Sequence, residues 1–336
     1  MLMWPNIFQM FLSLLLILAS CELFTNSIEW LGKKLRVGDG VVGSLFSAVG
    51  TCLPETMIPI IAILFFRENN SIDIGIGAII GAPFMLSTLA FFVTGISVVI
   101  FWRKRRTGMS MGINREIVSR DICFFIAAYT LGISSAFINI EILRTVIALF
   151  LISIYIYYIF LTVKQDKIQQ GPIDKLYFSK IFHIKPRFYV IMLQVCLALL
   201  GIIIGADIFV VRIEAVSALF GIPAIVLSLV ITPIATELPE KFNSIIWISK
   251  SKDALALGNI TGAMVFQSCI PVSIGILSTD WSLNSNAVIS ALIAVMSASV
   301  VYFWMENRKS LNPIPLIMGG FFYTVFICTL FYQFAI

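Results

Sequence analysis

Long apolar runs separated by short polar breaks fill the chain from end to end. A helix needs ~20 apolar residues to cross the hydrocarbon core of a bilayer. Ten such segments follow from the pattern: 6–31, 41–66, 72–101, 121–139, 142–163, 188–212, 220–248, 253–277, 286–305 and 313–335. The 164–187 stretch, with Lys164, Lys167, Lys175, Lys180, Lys185 and Arg187 around Gly171-Pro172, is the one sizeable polar linker. It separates 1–163 from 188–336. The pattern predicts an all-α polytopic membrane protein of ten transmembrane helices, five on each side of the linker.

Charge supplies an orientation. With these spans, the odd-numbered loops hold 19 of the 23 Lys and Arg residues. The even-numbered loops hold only Arg67, Arg144 and Arg212, and Lys241 falls within a span. The bias places the odd loops, including 103–120 and 164–187, in the cytoplasm and both termini outside a plasma (inner) membrane. An odd number of spans per half makes the second half cross in the opposite sense to the first, the arrangement of an inverted repeat.

The two halves are also related residue by residue. Gly50-Thr51-Cys52-Leu53-Pro54-Glu55 recurs as Ala235-Thr236-Glu237-Leu238-Pro239-Glu240, an offset of 185. At the same offset Phe24 meets Phe209, Glu29 meets Glu214, Ser47 meets Thr232 and Ile60-Ile61 meets Ile245-Ile246. A carboxylate inside a bilayer is costly, so a duplicated one points to a shared ion site near the midplane.

Residues four apart lie on one helix face. Ser47, Thr51 and Glu55 form such a ladder, and Thr232, Thr236 and Glu240 form its copy. Pro54 and Pro239 cannot donate to the carbonyls of Gly50 and Ala235, which adds two backbone oxygens. Two carboxylates, hydroxyls and carbonyls are hard ligands, suited to Ca2+, Na+ or Mg2+. The competing structural reading is that the hydroxyls bond back to their own helices and the Pro-Glu pairs mark kinks.

Gly77-Ala78-Ile79-Ile80-Gly81-Ala82 in the third span aligns with Gly258-Asn259-Ile260-Thr261-Gly262-Ala263 in the eighth. The glycine spacing permits close helix approach, and Asn259 offers an oxygen. Gln267, further along the eighth span, is another ligand candidate. The duplicated acids Glu22, Asp207, Glu29 and Glu214 lie toward span ends, either solvated or as gating groups. Glu237 is either a third site carboxylate, a proton carrier, or the partner of Lys241 one turn on.

On these motifs the chain resembles the cation/calcium exchanger superfamily, the family of sodium/calcium exchangers. That family carries two repeats, each with a G-T-S-x-P-E-like motif followed by G-N-x-x-G-S-N. The resemblance implies ten helices, with spans two, three, seven and eight around the ions. It assigns ion binding to Glu55, Glu240, Thr51 and Thr236. It also implies a secondary antiporter exchanging Ca2+ or a similar cation for Na+, with inorganic cations as cargo and no cofactor. Ala78, Ala82-Pro83 and Ala263-Met264 depart from the family's polar residues, and Cys52 and Glu237 replace its motif serines. Fewer oxygens for sodium leave H+-coupled exchange, or a non-transporting membrane scaffold, as alternatives.

Other classes find little support. Hydrophobic residues make up 59% of the chain and mean hydropathy is +0.99, outside the range of soluble domains. The single histidine, His183, lies in the linker, so no His-Glu-x-x-His site exists and an enzyme is not expected. The net charge of +5 reflects loop bases at a lipid bilayer rather than a nucleic-acid surface. The six cysteines are scattered through apolar segments without metal spacing. Leu18-Ala19-Ser20-Cys21 resembles a lipoprotein cleavage box. No base precedes the apolar run, however, and the first segment is read as a retained span.

Overall fold

The computed structural model describes residues 3–34, 52–66, 69–165 and 175–335. Among them the chain is helical throughout, with no strand. In order, the helices are α1 (Met3–Lys34), α2 (Leu53–Ile61), α3 (Asn69–Met85), α4 (Phe91–Phe101), α5 (Arg115–Ser134), α6 (Glu141–Gln165) and the short α7 (Tyr177–Ile181). They continue with α8 (Phe188–Phe220), α9 (Ala224–Ser249), α10 (Asp253–Ser278), α11 (Ser285–Arg308) and α12 (Pro313–Ala335). A π turn, Ala62–Phe66, extends α2, and a second, Leu86–Ala90, joins α3 to α4.

Among the described residues, eight segments are long and apolar enough to cross a membrane: Trp4–Phe24, Ser71–Phe101, Arg115–Phe137, Glu141–Thr162, Phe188–Phe220, Asp253–Ser278, Ser285–Arg308 and Pro313–Leu330. Two shorter apolar helical stretches, Glu55–Phe65 and Ala224–Ile234, lie in α2 and α9. These are the elements that carry the acidic motifs. The protein is therefore a multi-pass integral membrane protein.

Two boundaries differ clearly from expectation, and the first is the start of the fourth segment, at Arg115 rather than 121. The sixth segment runs to Phe220 rather than stopping at Arg212. The Arg212 guanidinium donates to Asn6 Oδ1 on α1 at 3.1 Å, which lets the helix carry a base past that point. Gly221, at φ 65°, ends it in the left-handed conformation that glycine tolerates.

Elements before residue 165 pack mainly against elements after 175. α1 lies along α8, where Gly201 and Gly205 bring that helix against Ser20, Ile17 and the Ser13 carbonyl. α3 crosses α9 with Gly77 and Gly81 set on the backbone of Ile225 and Leu229. Small residues allow this contact because no side chain separates the two backbones. α4 packs on α12 through Gly95 against Leu316 and Ile317. α10 packs on α5 and α6, where Ser273 Oγ donates to the Ala148 carbonyl at 3.0 Å. One large apolar cluster joins α3, α5, α6 and α9–α12, and a second joins α1, α2 and α8.

Buried polar contacts fasten α10 at two levels. At its first turn, Asp253 pairs with Arg105 beyond the end of α4, at 2.8 Å and with both side chains fully buried. Asp253 Oδ2 also accepts the Gly112 N–H at 2.7 Å. Arg105 further donates to the Gly108 carbonyl at 3.0 Å, to Thr107 Oγ1 at 3.0 Å and to the Ser110 carbonyl at 3.1 Å. Two turns on, Thr261 Oγ1 donates to Asp121 Oδ2 on α5 at 2.9 Å. Arg120 holds the other oxygen of Asp121 at 2.9 Å and lies over the Tyr158 ring on α6.

Candidate functional site

α2 begins at Leu53, which puts Pro54 in the first turn, where its missing N–H is not needed. Ser47, Gly50 and Thr51 lie outside the described residues, so the carbonyl that Pro54 was expected to free falls outside them too. Cys52 precedes the helix and its carbonyl accepts from Thr56, from the N–H at 3.2 Å and from Oγ1 at 2.6 Å. Glu55 follows within the first turn and is only 2% exposed. A helix N-terminus favours an anion, which offsets part of the cost of burying this carboxylate.

The second motif copy lies on α9, which runs unbroken as helix through Ala235–Glu240. Thr232 and Thr236 are buried. Thr236 Oγ1 donates to the Thr232 carbonyl at 3.0 Å, and Thr232 Oγ1 lies 3.1 Å from Ser228 Oγ. A hydroxyl that donates its proton backward keeps its oxygen lone pairs for a cation. The back-bonding and ligand readings are thus compatible. The side chains of Ala235, Glu237, Glu240 and Lys241 lie outside the described residues.

Two ladder members were not singled out from the sequence. Ser228 and Ser244 extend the four-residue spacing of Thr232, Thr236 and Glu240 on either side. Their first-half counterparts at the same offset are Gly43 and Pro59, so the repeat gave no signal there. The spacing itself could have found them. Ser228 turns aside and donates to the Ile74 carbonyl on α3 at 2.7 Å, a fastening of α9 to α3. Ser244 is fully buried, and its hydroxyl has no hydrogen-bond partner among the described residues.

α10 brings further groups. Asn259 is half-buried on it. Gln267 is fully buried, and neither its oxygen nor its nitrogen has a partner among the described residues. An amide left so in an apolar interior costs about 1–3 kcal/mol, a cost that a bound ligand would relieve. Its neighbour Phe266 packs edge-on against Tyr155 of α6, with ring centroids 5.4 Å apart. Cys52, just ahead of α2, shares one apolar cluster with Tyr155 of α6 and Cys269 of α10.

Positions 78, 82, 263 and 264 are buried and carry Ala, Ala, Ala and Met. They face the interior without supplying oxygens. Of the duplicated acids near span ends, Glu22 is exposed and accepts from Tyr177 Oη at 2.7 Å, and Asp207 is exposed. Glu214 is half-buried, and the Glu29 side chain lies outside the described residues. Among the described residues no cluster of three metal-ligating His, Cys, Asp or Glu side chains occurs.

A buried carboxylate in a duplicated Pro-Glu motif of a polytopic helical membrane protein is what an ion-exchanging transporter would carry. The family model of the sodium/calcium exchanger protein matches residues 6–164 and 190–335, and the chain belongs to that family. It is similar to the uncharacterized membrane protein MJ0091 of Methanocaldococcus jannaschii, 24% identical over 300 residues and 89% of each chain. Among solved structures, its fold is like that of the H+/Ca2+ exchanger CAX. The TM-score is 0.73 at 14% identity, covering 97% of this chain and 82% of that one. It is also like that of the sodium-calcium exchanger NCX_Mj, with a TM-score of 0.54 at 19% identity over 98% and 99% of the two chains.

Proposed function

We propose that the protein is a secondary active antiporter that exchanges Ca2+, or a similar cation, for Na+ by alternating access. Its ten spans form two inverted five-helix repeats, 1–163 and 188–336, in the plasma (inner) membrane. Both termini are outside and the 164–187 linker is cytoplasmic. The observation that carries this reading is Glu55, a carboxylate removed from solvent on a membrane helix whose motif recurs with Glu240 on α9. Family membership agrees with it.

In this reading Glu55 and Glu240 supply the two negative charges that a divalent cation requires. Thr51, Thr232 and Thr236 add hydroxyl oxygens, Gly50 and Ala235 carbonyl oxygens, and Ser47 closes the first ladder. On α10, Asn259 and Gln267 offer amide oxygens, and Glu237 stands either at the site or against Lys241. These are hard ligands, and the two ladders with their carbonyls already reach the ~6–8 oxygens that Ca2+ takes. Movement of the two repeats about the site would then open it to one side at a time.

The buried alanines and methionine at 78, 82, 263 and 264 favour a second reading. With fewer oxygens to hold sodium, protons on the carboxylates would neutralise the site on the return step. Calcium uptake into proteoliposomes, with sodium and proton gradients imposed separately, distinguishes the two. Glu55→Gln and Glu240→Gln should each abolish uptake under either gradient. Near wild-type flux in one variant would remove that glutamate from the site. A cysteine introduced at Gln169 should stay protected from an impermeant reagent in intact cells, and ready labelling would reverse the orientation.

A further inference from the structure

The end of the linker is built into the protein on one side and left bare on the other. Lys175–Phe178 is fastened between α1 and α8. The Tyr177 N–H donates to Asn26 Oδ1 at 3.1 Å and the Phe178 N–H to Gln194 Oε1 at 3.0 Å. Gln194, fully buried, returns to the Leu23 carbonyl at 2.8 Å and to Asn26 at 3.1 Å. Leu176 is buried with Val190, Ile191, Trp30 and Leu31.

The residues that follow turn outward. Ile181 and Phe182 are 59% and 61% exposed, and Ile184 is exposed as well. His183, at φ 56°, turns the chain between them. Lys180, Lys185 and Arg187 alternate with these apolar groups and are exposed. The membrane-crossing segment of α8 begins immediately afterward, at Phe188. Bare aromatic and aliphatic side chains beside a membrane span need an apolar surface, and the interleaved bases need anions at the same depth. A leaflet with anionic headgroups meets both needs at once.

We propose that residues 180–187 are an interfacial anchor for anionic lipid, with Ile181, Phe182 and Ile184 at the acyl boundary and Lys180, Lys185 and Arg187 among the headgroups. Its other side is bolted to Asn26 and Gln194, which ties the anchor to the α1–α8 pair. It takes from the proposed function only that the linker is cytoplasmic. Discs with the same lipid in both leaflets make its test independent of that orientation and of transport.

The full chain in nanodiscs of phosphatidylcholine is compared by hydrogen exchange with discs containing about one-third phosphatidylglycerol. Amides of 180–187 should exchange on the order of tenfold more slowly in the anionic discs. The slowing should vanish at roughly 0.5 M salt and in the Lys180→Gln/Lys185→Gln/Arg187→Gln variant. Amides of 177 and 178, held by Asn26 and Gln194, should be unchanged throughout and report that the variant is folded. Equal exchange of 180–187 in the two lipids, or slowing that survives the triple substitution, would overturn the proposal.

Discussion

Removing one partner of the Arg105–Asp253 pair tests how α10 is held against the rest of the protein. Asp253→Ala would leave a buried guanidinium without its counter-charge and the Gly112 N–H without its acceptor. Breaking a fully buried pair in this way costs about 3–5 kcal/mol. By the scaling of soluble domains, that is a fall of roughly 10 °C in Tm. Arg105→Met should cost a similar amount, because it strands the carboxylate and withdraws donors from Thr107 and the Gly108 and Ser110 carbonyls. The double variant Arg105→Met/Asp253→Ala strands neither charge, so its loss should fall well below the sum of the two, with a coupling of about 2–3 kcal/mol. The assay is thermal denaturation of the purified protein in detergent, read as a double-mutant cycle. Single variants that each lose less than about 1 kcal/mol, or a double that is merely additive, would refute the reasoning. The pair would then be behaving as a solvated surface bridge.

Three further outcomes follow from contacts described above. Gln267→Leu should leave Tm unchanged or raise it, since no hydrogen bond to a described residue is lost, while weakening calcium-dependent thermal protection; retained protection would remove Gln267 from the site. Gly81→Ala should sharply reduce the yield of folded protein, because the added Cβ would stand 2.7 Å from Pro233 Cγ and closer still to the Leu229 carbonyl. Gly108→Ala, in open space at φ 58°, should cost only about 1–2 kcal/mol by denaturation. Thr261→Val should lower stability by about 1–3 kcal/mol by taking a donor from buried Asp121, and an unchanged Tm would show that this carboxylate is held without Thr261.

The membrane helices were largely legible because an apolar run of sufficient length has few other uses, and most observed ends lie within a few residues of the expected ones. The eighth segment, 253–277, is observed as Asp253–Ser278. Arg212 misled because a base in an apolar run reads as a loop when its partner, Asn6, lies some 200 residues away. The same distance hid the docking of 175–178, whose anchors Asn26 and Gln194 look like ordinary polar residues within spans. Asp121 was read only as a span boundary, since nothing local reveals that Thr261 reaches it. The Pro-Glu motif stood out because it occurs twice. Ser244 did not, because its counterpart is a proline.

The π turn between α3 and α4 bears on how such a chain changes by mutation. Closing over five residues rather than four, it sets everything after Ala90 about one residue, roughly 100°, behind a continuous α-helix. Gly77 and Gly81 can therefore meet α9 while Gly95, on the same rod, meets α12. Deleting a single residue in 86–90 would restore regular winding and leave α4 facing α12, whereas regular winding at full length would rotate α4 off it. The segment is a point where the loss of one codon would leave helix neighbours unchanged.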